Sequence, residues 1–458
     1  MNITQSIEIL FKRFLPSPFA IAIILTGITL VMALLFTEGP QDQNHFLALL
    51  SYWENGIWNQ SLLVFAYQMM LILVLGHILV LSNPMNALIN RLTSFVSNTQ
   101  NAVVLVSVST MLVCFFNWGL GLIFGAILAR KVAEAAQAKG FSINYPLVGA
   151  SAYAGFMIWH GGISGSAPTK VSESGHLASF MTGIGDAKLS AQIPDLIPYS
   201  DTVFSTSNLI IFGIILITVP LFLRFIARKA PATKINLPIY KNPISVTDDA
   251  KGAEKIDHSK FFGIGFGVLI LIAFFYQYFQ ELSQWIITPN MLNFFMLGLA
   301  LILHVNFTNF LSAVEEAIKG ASGILIQFPL YFGIMGIMRD SGMVVEIANF
   351  FVSISNETTL PIFTFFSAGL VNIFVPSGGG QWAVQGPIVV ESALQLGVPL
   401  PKAIMALAYG DQLTNMLQPF WALPLLGITK LKANEILPYT LMVMVLGAII
   451  FIGGLLLF

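Results

Sequence analysis

Apolar runs of bilayer-crossing length, nearly free of charge, recur along this chain at 18–36, 61–82, 204–227, 261–278, 291–306, 323–338 and 437–458. A helix of about 20 such residues spans the hydrocarbon core of a bilayer. In hydrocarbon the backbone must satisfy its own N–H and C=O groups, which a helix does within one segment. The runs therefore predict an all-α polytopic membrane protein. Charged residues make up only 9% of the chain and hydrophobic ones 56%, against about 25% charged in soluble domains. Such a chain cannot clothe a water-facing surface, and lipid is its expected partner. A net charge of −1 offers no footprint for nucleic acid. The single Cys114 rules out an internal disulfide and a thiolate cluster. No histidine pair has metal-ligand spacing and no Walker A loop is present, so neither a metal site, nor another cofactor, nor ATP drive is expected.

Charge orients the runs. Lys12 and Arg13 precede the first run, which has no cleavage signal after it and is expected to stay as the first span, with the N-terminus cytoplasmic. The 37–57 loop carries Glu38, Asp42 and Glu54. The 173–201 loop carries Glu173, Asp186, Asp195 and Asp201 against Lys188. Both are expected outside. The 224–260 stretch holds Arg224, Arg228, Lys229, Lys234, Lys241, Lys251, Lys255 and Lys260, and Pro231, Pro238 and Pro243 mark it as a linker. The positive-inside rule makes it cytoplasmic.

The two halves match. Gln68 pairs with Gln327, Ser82 with Ser341, Gly119 with Gly378 and Gly121 with Gly380 at one offset, and Tyr153 pairs with Tyr409 at nearly the same one. The charge map places the starts of the halves on opposite sides. The expected organisation is an inverted repeat: 1–229, with broken helices over 101–170; a linker and connecting helix, 230–284; and 285–458, with broken helices over 360–429. In transporters of this architecture the site lies near the midplane, where broken helices meet.

The broken segments are FFNWGLG at 115–121, WHGGISGSAP at 159–168, PSGGGQW at 376–382 and YGDQLTNMLQP at 409–419. Glycine costs about 1 kcal/mol against Ala inside a helix, so Gly378, Gly379 and Gly380 are expected to interrupt one, with Gly379 at a close backbone approach. Irregular backbone at membrane depth survives where protein or a cavity satisfies it. Each break also exposes a helix N-terminus with free N–H groups and about half a positive charge. Two such ends facing each other could hold one carboxylate without Arg or Lys. The candidate substrate groups are Asn117, Gly119, Gly161, Gly162, Ser164, Ser166, Ser377, Gly378, Gly379, Gly380, Gln381, Thr414, Asn415 and Gln418. The same polar groups could serve helix–helix hydrogen bonding, which averages about 0.6 kcal/mol in membranes. Asp411 is an acid embedded in an apolar element, at a cost of about 2.5–3.5 kcal/mol, and His160 adjoins a break. These two are the ion-coupling candidates, with H⁺ and Na⁺ both open. A different reading makes His160 and Asp411 partners of Ser164 or Ser166 in an intramembrane hydrolase, but it leaves the repeat without purpose.

The runs NWGLGLIFGA, YAGFMIWHGGISGSAP, VPSGGGQWAVQGP and AYGDQLTNMLQPFWALP resemble the bacterial short-chain fatty acid transporter family, also called the AtoE family, from Phe14 to the C-terminal LLLF. The resemblance implies symport or other carriage of small monocarboxylates such as acetoacetate or butyrate across the bacterial inner membrane, by a protein that is not an enzyme. It also implies kinship with the ion transporter superfamily. That superfamily includes di- and tricarboxylate carriers with two re-entrant hairpins, and a homodimer is expected by that analogy alone. Where a relative has Glu after AYG and His after SGGG, this chain has Asp411 and Gln381. The acid is kept, and a titratable group is lost at 381.

Overall fold

The structure is a computed structural model that describes residues 16–84, 87, 91, 93–94, 96–181, 192–237, 252–283 and 287–458. Lys12, Arg13, Asp186, Lys188, Pro238, Lys241, Pro243 and Lys251 lie outside the described residues, as does much of the 230–260 linker. The regular elements of the described residues are helices, the main ones being α1 (Pro18–Phe36), α2 (His45–Ile57), α3 (Gln60–Leu81), α4 (Thr99–Phe116), α5 (Trp118–Lys139), α6 (Tyr145–Tyr153), α7 (Thr206–Ala227), α8 (Lys260–Gln277), α9 (Pro289–His304), α10 (Phe307–Ala317), α11 (Ser322–Asp340), α12 (Met343–Ser353), α13 (Leu360–Phe374), α14 (Gly378–Leu396), α15 (Leu400–Thr414), α16 (Pro419–Thr429) and α17 (Ala433–Leu457). No strand occurs among the described residues.

Among the described residues 7 helices are long and apolar enough to cross a membrane: α1, α3, α4, α7, α8, α11 and α17. Their outward faces are bare hydrocarbon. Phe261 is 80% exposed, Tyr276 85% and Ile217 62%. In water each would forgo about 25 cal/mol per Å² of apolar surface; in lipid it forgoes nothing. This is a multi-pass membrane protein. The apolar runs locate most of these spans, with two differences. α9 has only 16 residues. α4 is an unbroken 18-residue helix inside a stretch expected to be interrupted, because its break falls at its very end, at Asn117.

The glycine-rich breaks also differ from expectation. Gly378, Gly379 and Gly380 do not interrupt a helix but begin one. Ser377 is the N-cap of α14, and its Oγ accepts from the Gly380 N–H at 3.1 Å. In a first turn the N–H groups have no intrahelical carbonyl to reach, so glycine forfeits no hydrogen bond there. Asn117 does the same for α5, its Oδ1 accepting from the Leu120 N–H at 2.9 Å. The 158–165 segment, by contrast, is non-helical.

Two stretches share one order of elements. α4, a cap at Asn117, α5, α6, a 3₁₀ turn at Ala154–Met157 and a break form the first. α13, a cap at Ser377, α14, α15, a 3₁₀ turn at Asn415–Leu417 and α16 form the second. α3 runs parallel to α9: Gln68 Nε2 donates to Asn290 Oδ1 at 2.8 Å, and His304 Nε2 meets the Ile78 carbonyl at 2.8 Å. It runs antiparallel to α11, since Phe65 packs on Phe328 at 6.5 Å while Leu62, one turn earlier, lines one cavity with Met335 and Arg339, two and three turns later on α11.

Candidate substrate and ion site

The 158–165 break lies between the two halves. On one side it packs on the α4–α5 break. The Ile163 N–H donates to the Phe115 carbonyl at 2.8 Å, and Ser164 Oγ accepts from the Trp118 N–H at 3.0 Å. A Cβ on Gly162 would strike the Phe115 carbonyl oxygen, so this glycine is there for a backbone-to-backbone approach. On the other side the break meets α15. Gln412 Oε1 accepts from the N–H groups of His160, at 2.9 Å, and Gly161, at 3.2 Å. Asn208 Nδ2 donates to the Gly161 carbonyl at 2.9 Å, and its own Oδ1 accepts from Tyr409 OH at 2.8 Å. Irregular backbone in mid-protein is thus satisfied by side chains from α7 and α15 and by a backbone carbonyl of α4, as membrane depth requires.

Gln412 and Asn208 were not among the residues marked by sequence. In the sequence Asp411, Thr414, Asn415 and Gln418 fall at helical spacing on one face, and Gln412 lies off it. Gln412→Leu is expected to leave two buried N–H groups unpaired, at about 1–3 kcal/mol each. Thermal denaturation in detergent should show a clearly lowered midpoint, and an unchanged midpoint would remove Gln412 from the framework of the break.

His160 and Asp411 form a fully buried pair, with His160 Nδ1 against Asp411 Oδ2. The other imidazole nitrogen, Nε2, accepts from the Ala167 N–H at 3.1 Å. That nitrogen carries no proton, so the ring is neutral with its proton on Nδ1, facing the carboxylate. Trp159 stacks on the His160 ring at 4.5 Å. The pair sits at the N-terminus of α14. A Cβ built on Gly378 would lie 2.8 Å from Trp159, 3.0 Å from Asp411 Oδ2 and 3.0 Å from His160. Gly379, expected to be the tight position, has open space, with only Ser166 Oγ at 3.9 Å. The carboxyl group at this helix end is therefore the protein's own, that of Asp411. The two helix ends do not meet bare, since Trp159 stands between them, 6.0 Å from Trp118 and packed on Gly378.

A second polar layer surrounds Asp411. Asn372 Nδ2 donates to the Asp411 carbonyl at 2.6 Å and to Thr414 Oγ1 at 3.0 Å, and Asn415 Nδ2 donates to the same carbonyl at 3.1 Å. Gln418 Nε2 donates to the Asn372 carbonyl. With their amide N–H groups spent on carbonyls, Asn372 Oδ1, Asn415 Oδ1, Gln418 Oε1 and Asp411 Oδ1 remain buried and accept no hydrogen bond. Asn372, like Gln412, was not among the residues marked by sequence, although an amide inside the apolar run VNIFVP is a signal.

The other marked residues lie further out. Asn117 Nδ2 donates to the Ile287 carbonyl at 3.2 Å, and Gly119 faces Ile72. Gln381 Nε2 ties α14 to α13 through the Ala368 carbonyl, at 2.8 Å, and to Gln385, at 2.7 Å. Ser164 and Ser166 make no hydrogen bond to His160, whose two nitrogens are engaged elsewhere, so the hydrolase constellation is not assembled. No group of three or more His, Cys, Asp or Glu suited to a metal occurs among the described residues.

Buried polar groups gathered at helix breaks, inside a multi-pass helical protein, define a membrane carrier. Comparison with known proteins gives the family. The family model described as short chain fatty acid transporter matches residues 1–458, and this chain belongs to that family. A relative in Escherichia coli (strain K12) is 36% identical over 98% of this chain and 97% of its own. One in Haemophilus influenzae is 36% identical over 97% and 96%. Both carry the name short-chain fatty acid transporter provisionally. Among solved structures the chain is similar to the YdaH transporter of Alcanivorax borkumensis, at TM-score 0.44 and 14% identity, covering 95% of this chain and 98% of that one. Likeness at that level carries no further argument.

Proposed function

We propose that the chain is a secondary transporter of short-chain monocarboxylates such as acetoacetate or butyrate. It works across the bacterial cytoplasmic membrane, by alternating access, with the N-terminus inside and H⁺ or Na⁺ as the coupling ion. The observation that carries this reading is the buried His160–Asp411 pair at the start of α14. A neutral ring and an ionised carboxylate leave one negative charge in the membrane interior, at a cost of about 2.5–3.5 kcal/mol on insertion scales. A proton or Na⁺ at Asp411 Oδ1 removes it. The unpaired oxygens of Asn372, Asn415 and Gln418 are of the kind hard cations prefer. A substrate carboxylate reaches the N-terminus of α14 only once the charge of Asp411 is neutralised, which links ion and substrate. The antiparallel run of α3 and α11, whose sequences match, and the recurring order of elements support an inverted repeat of 1–229 and 285–458.

The test is uptake of labelled butyrate and acetoacetate into proteoliposomes, with pH and Na⁺ gradients imposed separately. Saturable uptake competed by acetoacetate and not by succinate is expected, and the gradient that drives accumulation names the ion. Uptake equal to that of empty liposomes would overturn the reading.

A further inference from the structure

A cavity of about 260 Å³ lies beside this site, between the α2–α3 turn, the end of α11 and the first turns of α14. Its walls are mostly apolar, with Leu62, Met335, Val344 and Val384 among them, and Gly380 and Gln381 of the first turn of α14 also line it. Arg339 is the one charged residue among the described residues of the lining. Its guanidinium donates from Nε to Asp340 Oδ1 at 2.6 Å and from Nη2 to Asp340 Oδ2 at 3.0 Å. Nη1 makes no hydrogen bond to a described residue. Arg339 is thus oriented by Asp340 while one edge of its fork stays available.

We propose that this cavity is a second substrate position, in which Arg339 takes the carboxylate through Nη1 and the apolar wall takes the alkyl tail, before transfer past Gly380 to the start of α14. The inference rests on the monocarboxylate reading and adds a place and a selectivity to it. One cation among apolar walls suits a ligand with one charge at one end. A second carboxylate would meet Leu62 or Val384, or at best the neutral Asn59 and Ser61, with no second cation in the lining to pair it, and burying an unpaired charge is costly. A water in the liquid takes about 30 Å³, so the volume admits an acid of a few carbons. Asp340 keeps the site near neutrality, which suits a ligand that must leave.

The experiment measures butyrate uptake by wild type, Arg339→Gln and Val384→Trp in proteoliposomes, together with butyrate binding to the same purified proteins by calorimetry. Arg339→Gln is expected to raise the KM and the Kd for butyrate about tenfold or more, the loss of a charge-assisted hydrogen bond. Val384→Trp, which narrows the cavity without touching charge, is expected to lose hexanoate while keeping acetate. Arg339 and Asp340 are partly exposed, with side chains at 49% and 27%, so the neutral variant should fold, and monodispersity on gel filtration checks it. A wild type that transports butyrate beside two variants with unchanged KM and chain-length profile would overturn the cavity alone. A wild type that neither binds nor transports butyrate would overturn both this inference and the proposed function.

Discussion

Asp411→Asn is expected to abolish ion-driven accumulation while leaving the protein in the membrane. The amide has the shape of the carboxylate, and its oxygen can still accept the proton on His160 Nδ1, which faces position 411 in the structure. The buried negative charge is gone, and with it the reason for an ion to bind. In the wild type a tenfold gradient of a one-to-one coupling ion supports about tenfold accumulation of substrate, equivalent to ~1.4 kcal/mol. In the variant the internal and external concentrations should equalise whichever gradient is imposed. Accumulation at the wild-type level would release Asp411 from any coupling role. His160→Ala should behave differently. It takes from the buried carboxyl group its one hydrogen-bond donor, a loss of about 1.5–3 kcal/mol, and should appear as less folded protein rather than as uncoupled transport.

The second large effect separates two adjacent glycines. Gly378→Val is expected to lower uptake by one to two orders of magnitude, because even its Cβ meets Trp159, Asp411 and His160 at 2.8–3.0 Å. Overpacking of this kind costs about 1–3 kcal/mol, and here the groups displaced are those of the site. Gly379→Ala should transport nearly as well as wild type, since its nearest neighbour is Ser166 Oγ at 3.9 Å. Initial rates of butyrate uptake, normalised to reconstituted protein, distinguish the two. Equal rates for both variants would mean that the start of α14 does not pack on the pair as described.

How much of this was legible beforehand differs between backbone and side chains. Apolar length alone located α1, α3, α7, α8, α11 and α17, because a bilayer leaves a spanning segment few alternatives. The breaks were legible from glycine, yet their form was not. Whether a glycine interrupts a helix or opens it depends on the cap, and Ser377 and Asn117 decide it by bonds to the third residue of the turn. Asp411 and His160 stood out as titratable groups in apolar surroundings, and the structure pairs them. That Gln412 and Asn208 hold the 158–165 backbone could not be read, because the contact joins segments whose relative depth no local pattern encodes. Nothing in the sequence singles out Arg339, and only the packing of the α2–α3 turn, α11 and α14 places it at a cavity wall.

The distance along the chain between the 158–165 break and its supports also sets a schedule. The hydrogen bonds from His160 and Gly161 to Gln412 close over 252 and 251 residues. Tyr153 OH reaches the Asn415 and Gln418 carbonyls across 262 and 265. A ribosome adds about 5–20 residues per second, so the first half waits roughly 13–50 s for the groups that will satisfy its exposed N–H bonds. Through that interval a polar, unfinished backbone must be kept from the lipid tails. The insertion machinery, or an attendant chaperone within the bilayer, has to shelter it until the last quarter of the chain arrives.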